Sequence, residues 1–343
     1  MRRWLWIVML AVAILLAEDA ALWRYATRQL QTGLDQWVAA QRAAGWTVKA
    51  GEPRTGGWPL AATLTVPDVA IDGAPRLVPH GVSWSAHRVV LRVSLLHPAI
   101  LQIEAPGTGR LRVGSGAGVP YAARRLAVAV PLQSDGPPPV LDLRAEHLAI
   151  DLPNRPVTVE RLTAHVQVSP AAKQAQSAIA VTLRATGVGL PPAMHWALGP
   201  RIASLALDAA LDGPLPVEGG PTERATTWRN DGGVLEVGRL DTAWGPLRLR
   251  ANARLDLDAG LQPTGSGDAR IAGYDATADA LAAHGIMAPS AAIAAKAVLS
   301  LLAHAPDDGG PSEVDVPLTL RKRTLSMQRI PLLRFPELDW PAE

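Results

Sequence analysis

The chain has 343 residues, a formal net charge of +2 and a pI near 9.2. That charge is too small for an electrostatic nucleic-acid footprint, and no basic run interleaved with aromatics occurs. There is no cysteine, which excludes disulfide frameworks and thiolate metal sites, while 30 glycines and 30 prolines suit many strands joined by turns.

Arg2 and Arg3 precede an apolar run from Trp4 to Ala17, which resumes at Ala20–Trp23 after Glu18 and Asp19. Amino-terminal arginines stay cytoplasmic while the apolar segment enters the membrane behind them. A helix from Trp4 to Trp23 rises roughly 28 Å, about one hydrocarbon core. Trp4 and Trp6 then mark one interface, and Trp23 and Tyr25 the other. A cleaved signal peptide needs small residues one and three places before the cut, and the windows near Ala17–Ala21 put Leu15, Glu18 or Asp19 there. The expectation is therefore an uncleaved inner-membrane anchor over residues 1–24, with its amino terminus cytoplasmic and the bulk of the chain periplasmic. Leu22, Tyr25, Leu30, Leu34, Trp37 and Val38 continue at helical spacing. They predict an amphipathic helix over 25–45, stopped at Gly45 and packed on the exported domain.

From Trp46 the period becomes two. Leu60–Val66, Val82–Ala86, Val89–Leu95, Leu126–Val130, Leu141–Leu143, Leu148–Leu152 and Val157–Val159 alternate apolar with polar or small residues. So do Val166–Val168, Val181–Leu183, Leu205–Leu207, Leu247–Leu249, Leu255–Leu257 and Val314–Leu320. Strands of this kind bury one face and wet the other, as antiparallel sheets do. Pro67-Asp68, Asp72-Gly73, Asp135-Gly136, Asp212-Gly213 and Asp231-Gly232 read as punctuation. About 18 strands would span roughly 85 Å in one open sheet. The alanine-rich stretch 275–305 predicts two helices, Asp275–His284 and Ser290–His304, with Gly285 between them and Ser290 as N-cap. The fold class is mainly β: antiparallel, strongly curved or two-layer sheets, an amino-terminal transmembrane and amphipathic helix, and a helical pair in the carboxy-terminal part. Candidate seams are Gly136–Pro139 and Gly213–Pro221, giving β sub-domains at 46–212 and 222–343.

Catalytic signatures are missing: no phosphate-cradling glycine loop, no HExxH, and a serine out of register for a nucleophile elbow in Gly114-Ser115-Gly116-Ala117-Gly118. The eight histidines are scattered without metal-ligand spacing, and neither cofactor nor metal is expected. Asp256 and Asp258 read as the wet face of a strand. Arg321, Lys322 and Arg323 read as a solvated turn, with anionic lipid contact as the functional alternative. Gly56-Gly57-Trp58-Pro59 reads as a turn pinned by a buried indole, with an aromatic rim on a ligand groove as the other reading.

The order of anchor, amphipathic helix, AAGW-x-V, GxPRxGGWPL and alternating strand resembles a proteobacterial envelope family, domain of unknown function 2125. WGPLRLRANARLDLD, QPTGSGDARIAGY, the alanine-rich helices and VDVPLTLRKRTLSM extend the likeness over nearly the whole chain. That family has no assigned activity and implies no catalytic residue. Strands, two helices, then strands also resemble the architecture of AsmA-like proteins, which implies envelope lipid homeostasis and movement of phospholipid along an apolar β-groove. The leading expectation is a non-enzymatic, inner-membrane-anchored protein of envelope biogenesis or lipid handling, with phospholipid or envelope proteins as partners. A periplasmic scaffold binding other envelope proteins is the alternative, and a hydrolase the remote one. The groove walls are expected from Leu247, Leu249, Leu255 and Leu257, covered by Val298, Leu301 and Leu302.

Overall fold

A computed structural model describes residues 2–73, 81–114, 116–132, 139–152, 155–191, 194, 196–216, 218–305, 311–327 and 330–340. The side chains of residues 2–8, 10–13 and 330–333 lie outside that description. The chain forms two compact units, residues 1–138 and 139–343. The division falls at the first of the two expected seams, whose Gly136, Pro137 and Pro138 lie outside the described residues. The second seam lies within the second unit and leads into a helix there.

In the first unit, anchor and amphipathic segments make one helix, α1 (Arg2–Ala43). Ala44 and Gly45 end it, with Gly45 at φ 87°. The strands are β1 (Thr47–Lys49), β2 (Arg54–Gly56), β3 (Ala61–Gly73), β4 (Val82–Ser94), β5 (His97–Glu104), β6 (Gly107–Val113), β7 (Val119–Ala123) and β8 (Arg125–Pro131). All recorded pairings are antiparallel: β3 holds β1, β2 and β4, and β4 holds β5 and β6 at opposite ends. β5 then pairs with β8, and β6 with β7. Pro67-Asp68, expected as a turn, lies inside β3. Asp68 takes φ 47° and its carboxylate meets His87 Nδ1 at 2.9 Å, so the strand runs on through the irregularity.

Directly paired residues share a face. Ala62, Leu64, Val66 and Val69 therefore face the same way as Val93, Leu91, Val89 and Ala86. Over them lie Trp23, Ala26, Leu30 and Leu34 of α1. Leu64 is 0 % exposed under this cover. α1 is tied at its middle and at its carboxy-terminal end: Trp23 Nε1 donates to Gly56 O at 3.1 Å, and Arg42 donates to Val48 O at 2.8 Å. Described side chains before Asp19 are all exposed, among them Met9, Ile14, Leu15 and Leu16. Among the described residues no helix is long and apolar enough to cross a membrane; the side chains of most of the Trp4–Ala17 run lie outside them.

The second unit is a meander of long strands, β9 (Val140–Leu152), β10 (Arg155–Val168), β11 (Ser177–Gly189), β12 (Arg201–Asp212), β13 (Val234–Trp244), β14 (Leu247–Leu257), β15 (Pro263–Ala272), β16 (Glu313–Arg321), β17 (Thr324–Met327) and β18 (Ile330–Arg334). Each pairs antiparallel with the next in sequence. β16 and β17 turn through Lys322 and Arg323, both at positive φ, as a two-residue hairpin loop requires, so the basic cluster is a turn. α2 (Pro221–Asn230) sits between β12 and β13, with Trp228 buried and its Nε1 donating to Asp212 O. α3 (Tyr274–Ala283) and α4 (Pro289–Leu302) match the expected pair. The N-cap differs: Ala288 holds it and Pro289 starts the helix, placing Ser290 in the first turn.

Candidate functional site

Register carries one apolar face across the second unit. Leu143 on β9 lies opposite Ala164 on β10, then Leu183, Leu207 and Leu240 follow on β11, β12 and β13. On β14 the face is Leu247, Leu249, Ala251, Ala253, Leu255 and Leu257. On β16 it is Val314, Val316, Leu318 and Leu320, and β17 continues it with Leu325 and Met327. Every leucine on this face from β9 to β17 is half-buried. Its fully buried members are small or β-branched: Ala145, Val159, Ala185, Ala269, Val314 and Val316. The four expected wall leucines are thus brought together on one face of one strand.

The expected cover is not there. Val298, Leu301 and Leu302 are 49, 85 and 56 % exposed, and Ile293 is 70 % exposed. The reason lies in the spacing of α4. Its inward stripe is Ala292, Ala295, Lys296 and Leu299, and the helix packs against α3, where Lys296 Nζ meets both Asp279 oxygens at 2.9 Å. Ile293, Val298, Leu301 and Leu302 fall off that stripe and point to solvent.

The opposite sheet face is charged and laced across strands. Arg184 grips Asp208 with two contacts of 2.9 and 3.1 Å, Arg270 bridges Glu313 and Asp315, and Asp241 takes Arg239 and Arg250. Hydrogen bonding from Arg184 holds the Asp208 carboxyl below its ordinary range, and the same contact raises Arg184. His165 Nδ1 meets Asp142 at 2.7 Å as a cross-strand pair on this wet face. Asp256 is exposed, whereas Asp258 accepts the backbone N–H groups of Gly260 and Gln262 and shapes a turn. Among the described residues no group of three or more His, Asp or Glu could hold a metal; His80, His195 and Ser115 lie outside them.

Trp58 is not buried: it is 51 % exposed, and Leu60 beside it 69 %. Gly57 sets this projection, with φ 89° and a tight turn in which Ala61 N–H donates to its carbonyl. A Cβ at Gly57 would stand 2.5 Å from Ala61 O, so glycine is required. Trp58 instead lines an open niche of about 490 Å³ with Ala20, Trp23, Arg24, Thr27, Arg28 and Thr55, next to Gly56 and Pro59. Arg24 and Arg28, polar positions of the expected amphipathic helix, sit one turn apart directly after the apolar run. Arg2, Arg3, Trp4 and Trp6 lie in the same helix, with side chains outside the description.

No curated protein and no solved structure matches the chain, so the AsmA-like likeness gains nothing from comparison. A model of a bacterial family, described as an uncharacterized protein conserved in bacteria (DUF2125), matches residues 23–336, from the last residue of the expected span to the end of the final strand. The match takes in both units and the GGWP turn, and on that coverage the chain belongs to the DUF2125 family.

Proposed function

We propose that the protein is a non-enzymatic, membrane-anchored component of the bacterial envelope that handles lipid, and that the apolar face of β9–β17 receives acyl chains. The observation that carries this reading is the face itself: nine strands present it, its leucines stay half-buried, and α4 turns its large side chains away from it. Contiguous apolar surface beyond a few hundred Å² marks an interaction site in soluble domains. Acyl chains suit a face made almost wholly of hydrocarbon side chains, because their transfer from water needs no polar partner and contributes about 0.8 kcal/mol per methylene. The apolar run of α1, with arginines before it, supports an anchor that keeps the chain at the membrane.

A scaffold for other envelope proteins is the second reading, favoured by the exposed Ile293, Leu301 and Leu302 on α4. Mass spectrometry of lipids retained by the full chain after gentle extraction separates the two. Stoichiometric phospholipid on wild type, reduced by Leu249→Asn and untouched by Leu301→Asn, is the expected result. Lipid-free wild-type protein would sink the lipid reading.

A further inference from the structure

One end of the first unit gathers features that the proposed lipid-carrying face does not use. Register places the start of β3, the end of β4, the start of β5 and the end of β8 side by side. Their turns carry exposed apolar side chains: Trp58 and Leu60 before β3, Leu96 between β4 and β5, and Leu132 after β8, with exposures of 51, 69, 78 and 48 %. The same end is where α1 leaves the sheet. Trp23 is hydrogen-bonded to Gly56 there, and residues 2–22 run on, a rise of about 31 Å. The niche lined by Arg24, Arg28 and Trp58 opens beside it. Neither arginine has a hydrogen bond or ion pair among the described residues, whereas Arg112, Arg125, Arg184, Arg201 and Arg270 of the strands each pair with a carboxylate.

With Trp23 at the membrane interface, Arg24 and Arg28 lie about 1.5 and 7.5 Å further along the helix axis. That is the depth of the headgroup layer, roughly 5–7 Å on each side of the hydrocarbon. Helical side chains lean toward the amino terminus, so both guanidiniums tilt toward the bilayer. Guanidinium forks match phosphate oxygens, and indoles favour the interface. From these observations we infer that the Arg24–Arg28–Trp58 niche binds the phosphodiester headgroup of an anionic glycerophospholipid, and that Trp58, Leu60 and Leu96 seat this end of the unit on the bilayer. This rests on the reading of α1 as a span.

The absence of cysteine makes the test direct. Full-length Leu60→Cys and, at the far end of β3, Asp72→Cys are labelled with a polarity-sensitive fluorophore in nanodiscs of equal phosphatidylglycerol and phosphatidylcholine. The Leu60 label should shift blue and be quenched by nitroxide lipids, and the Asp72 label should not. Native mass spectrometry should show phosphatidylglycerol enriched on the wild type. Enrichment should fall about 30-fold in Arg24→Gln/Arg28→Gln, roughly fivefold for each basic group lost at an anionic surface. Alkaline carbonate extraction reports the span separately. A chain held in the membrane with a water-exposed Leu60 label, or with enrichment unchanged in the double variant, overturns the niche and leaves the anchor. Extraction of the chain into the soluble fraction overturns both. Displacement of the bound lipid by millimolar inorganic phosphate would make free phosphate the ligand and also overturn the headgroup assignment.

Discussion

Leu249→Asn and Leu301→Asn, compared side by side, test where lipid is held. Leu249 is half-buried, with Thr242 and Ile271 its register partners on the apolar face. Full burial of a leucine contributes about 1.5–3 kcal/mol, so half-burial contributes about half of that. The asparagine amide keeps access to water at such a site, which avoids the larger penalty of an unpaired buried polar group. The expected loss of stability is therefore about 1–2 kcal/mol, with the transition still cooperative. Each methylene of an acyl chain that leaves the face forfeits about 0.8 kcal/mol, so retained lipid should drop about fourfold or more. Leu301 is 85 % exposed, and its substitution should stay within about 0.5 kcal/mol and leave lipid unchanged. Urea titration of the full chain in detergent gives the stabilities, and native mass spectrometry counts the lipids. Loss of lipid with Leu301→Asn but not with Leu249→Asn would refute the assignment of the sheet face and move the site to α4.

Three further outcomes follow from the packing. Leu64→Ala empties a site with 0 % exposure between the first sheet and α1, and should cost about 2.7–5 kcal/mol in denaturant melts; a loss under about 1 kcal/mol would mean that α1 does not cover that face. Trp58→Ala should cost about 1 kcal/mol, because half of the indole is in solvent; a loss near the roughly 3–5 kcal/mol of a core aromatic would contradict its exposure. Asp208, depressed in the folded state by Arg184, contributes stability that is present above its unfolded pKa of about 3.9 and lost as pH falls through its folded value. The pair is about a third exposed, which limits that contribution to about 1 kcal/mol or less. Urea midpoints of wild type and Asp208→Asn should therefore converge as pH falls below about 3.9 and through the depressed folded value, and a constant gap from pH 7 downward would count against the pairing.

Much of the strand content was legible because alternation is a direct consequence of one wet face. Val314, Val316, Leu318 and Leu320 lie in β16, and Leu247 to Leu257 form β14 without a break. Where the backbone departs from regular φ, the pattern misleads. β9 reads as two segments because His147, at φ 49°, sits between Ala145 and Leu148. β5 and β6 are hidden by their many exposed positions, and β7 by its five-residue length and Pro120. α2 is polar throughout, and its only signals are Pro221 at the first turn and the Ala225–Trp228 spacing. Trp58 and the cover of the expected groove failed for a shared reason. A large apolar residue at helical spacing or after glycines predicts an inward direction, but direction depends on what the neighbouring element offers. Gly57 turns Trp58 outward, and the stripe Ala292, Ala295, Lys296 and Leu299 of α4 takes the inward side.

The two units meet one physical problem in different ways. A long antiparallel meander with one apolar face must cover that face or leave it to a partner. In the first unit α1 lays Leu30 and Leu34 over the sheet, and Leu64 is excluded from water. In the second unit the centre of β14 and β15 carries four small residues, Ala251, Ala253, Gly267 and Ala269, paired in register. A Cβ at Gly267 would lie 2.1 Å from Asn252 O, so that position admits no side chain. Leu249 with Ile271 bounds it on one side, and Leu255 on the other. Larger side chains surround a low floor, and no aromatic of this face fills it, since Trp244 sits at the end of β13 with its ring against Trp196, 5.8 Å between centroids. A sheet built only to pack would place its bulk at the centre, where burial contributes most. Bulk at the margins and small residues at the centre suit a face whose filling comes from outside the chain.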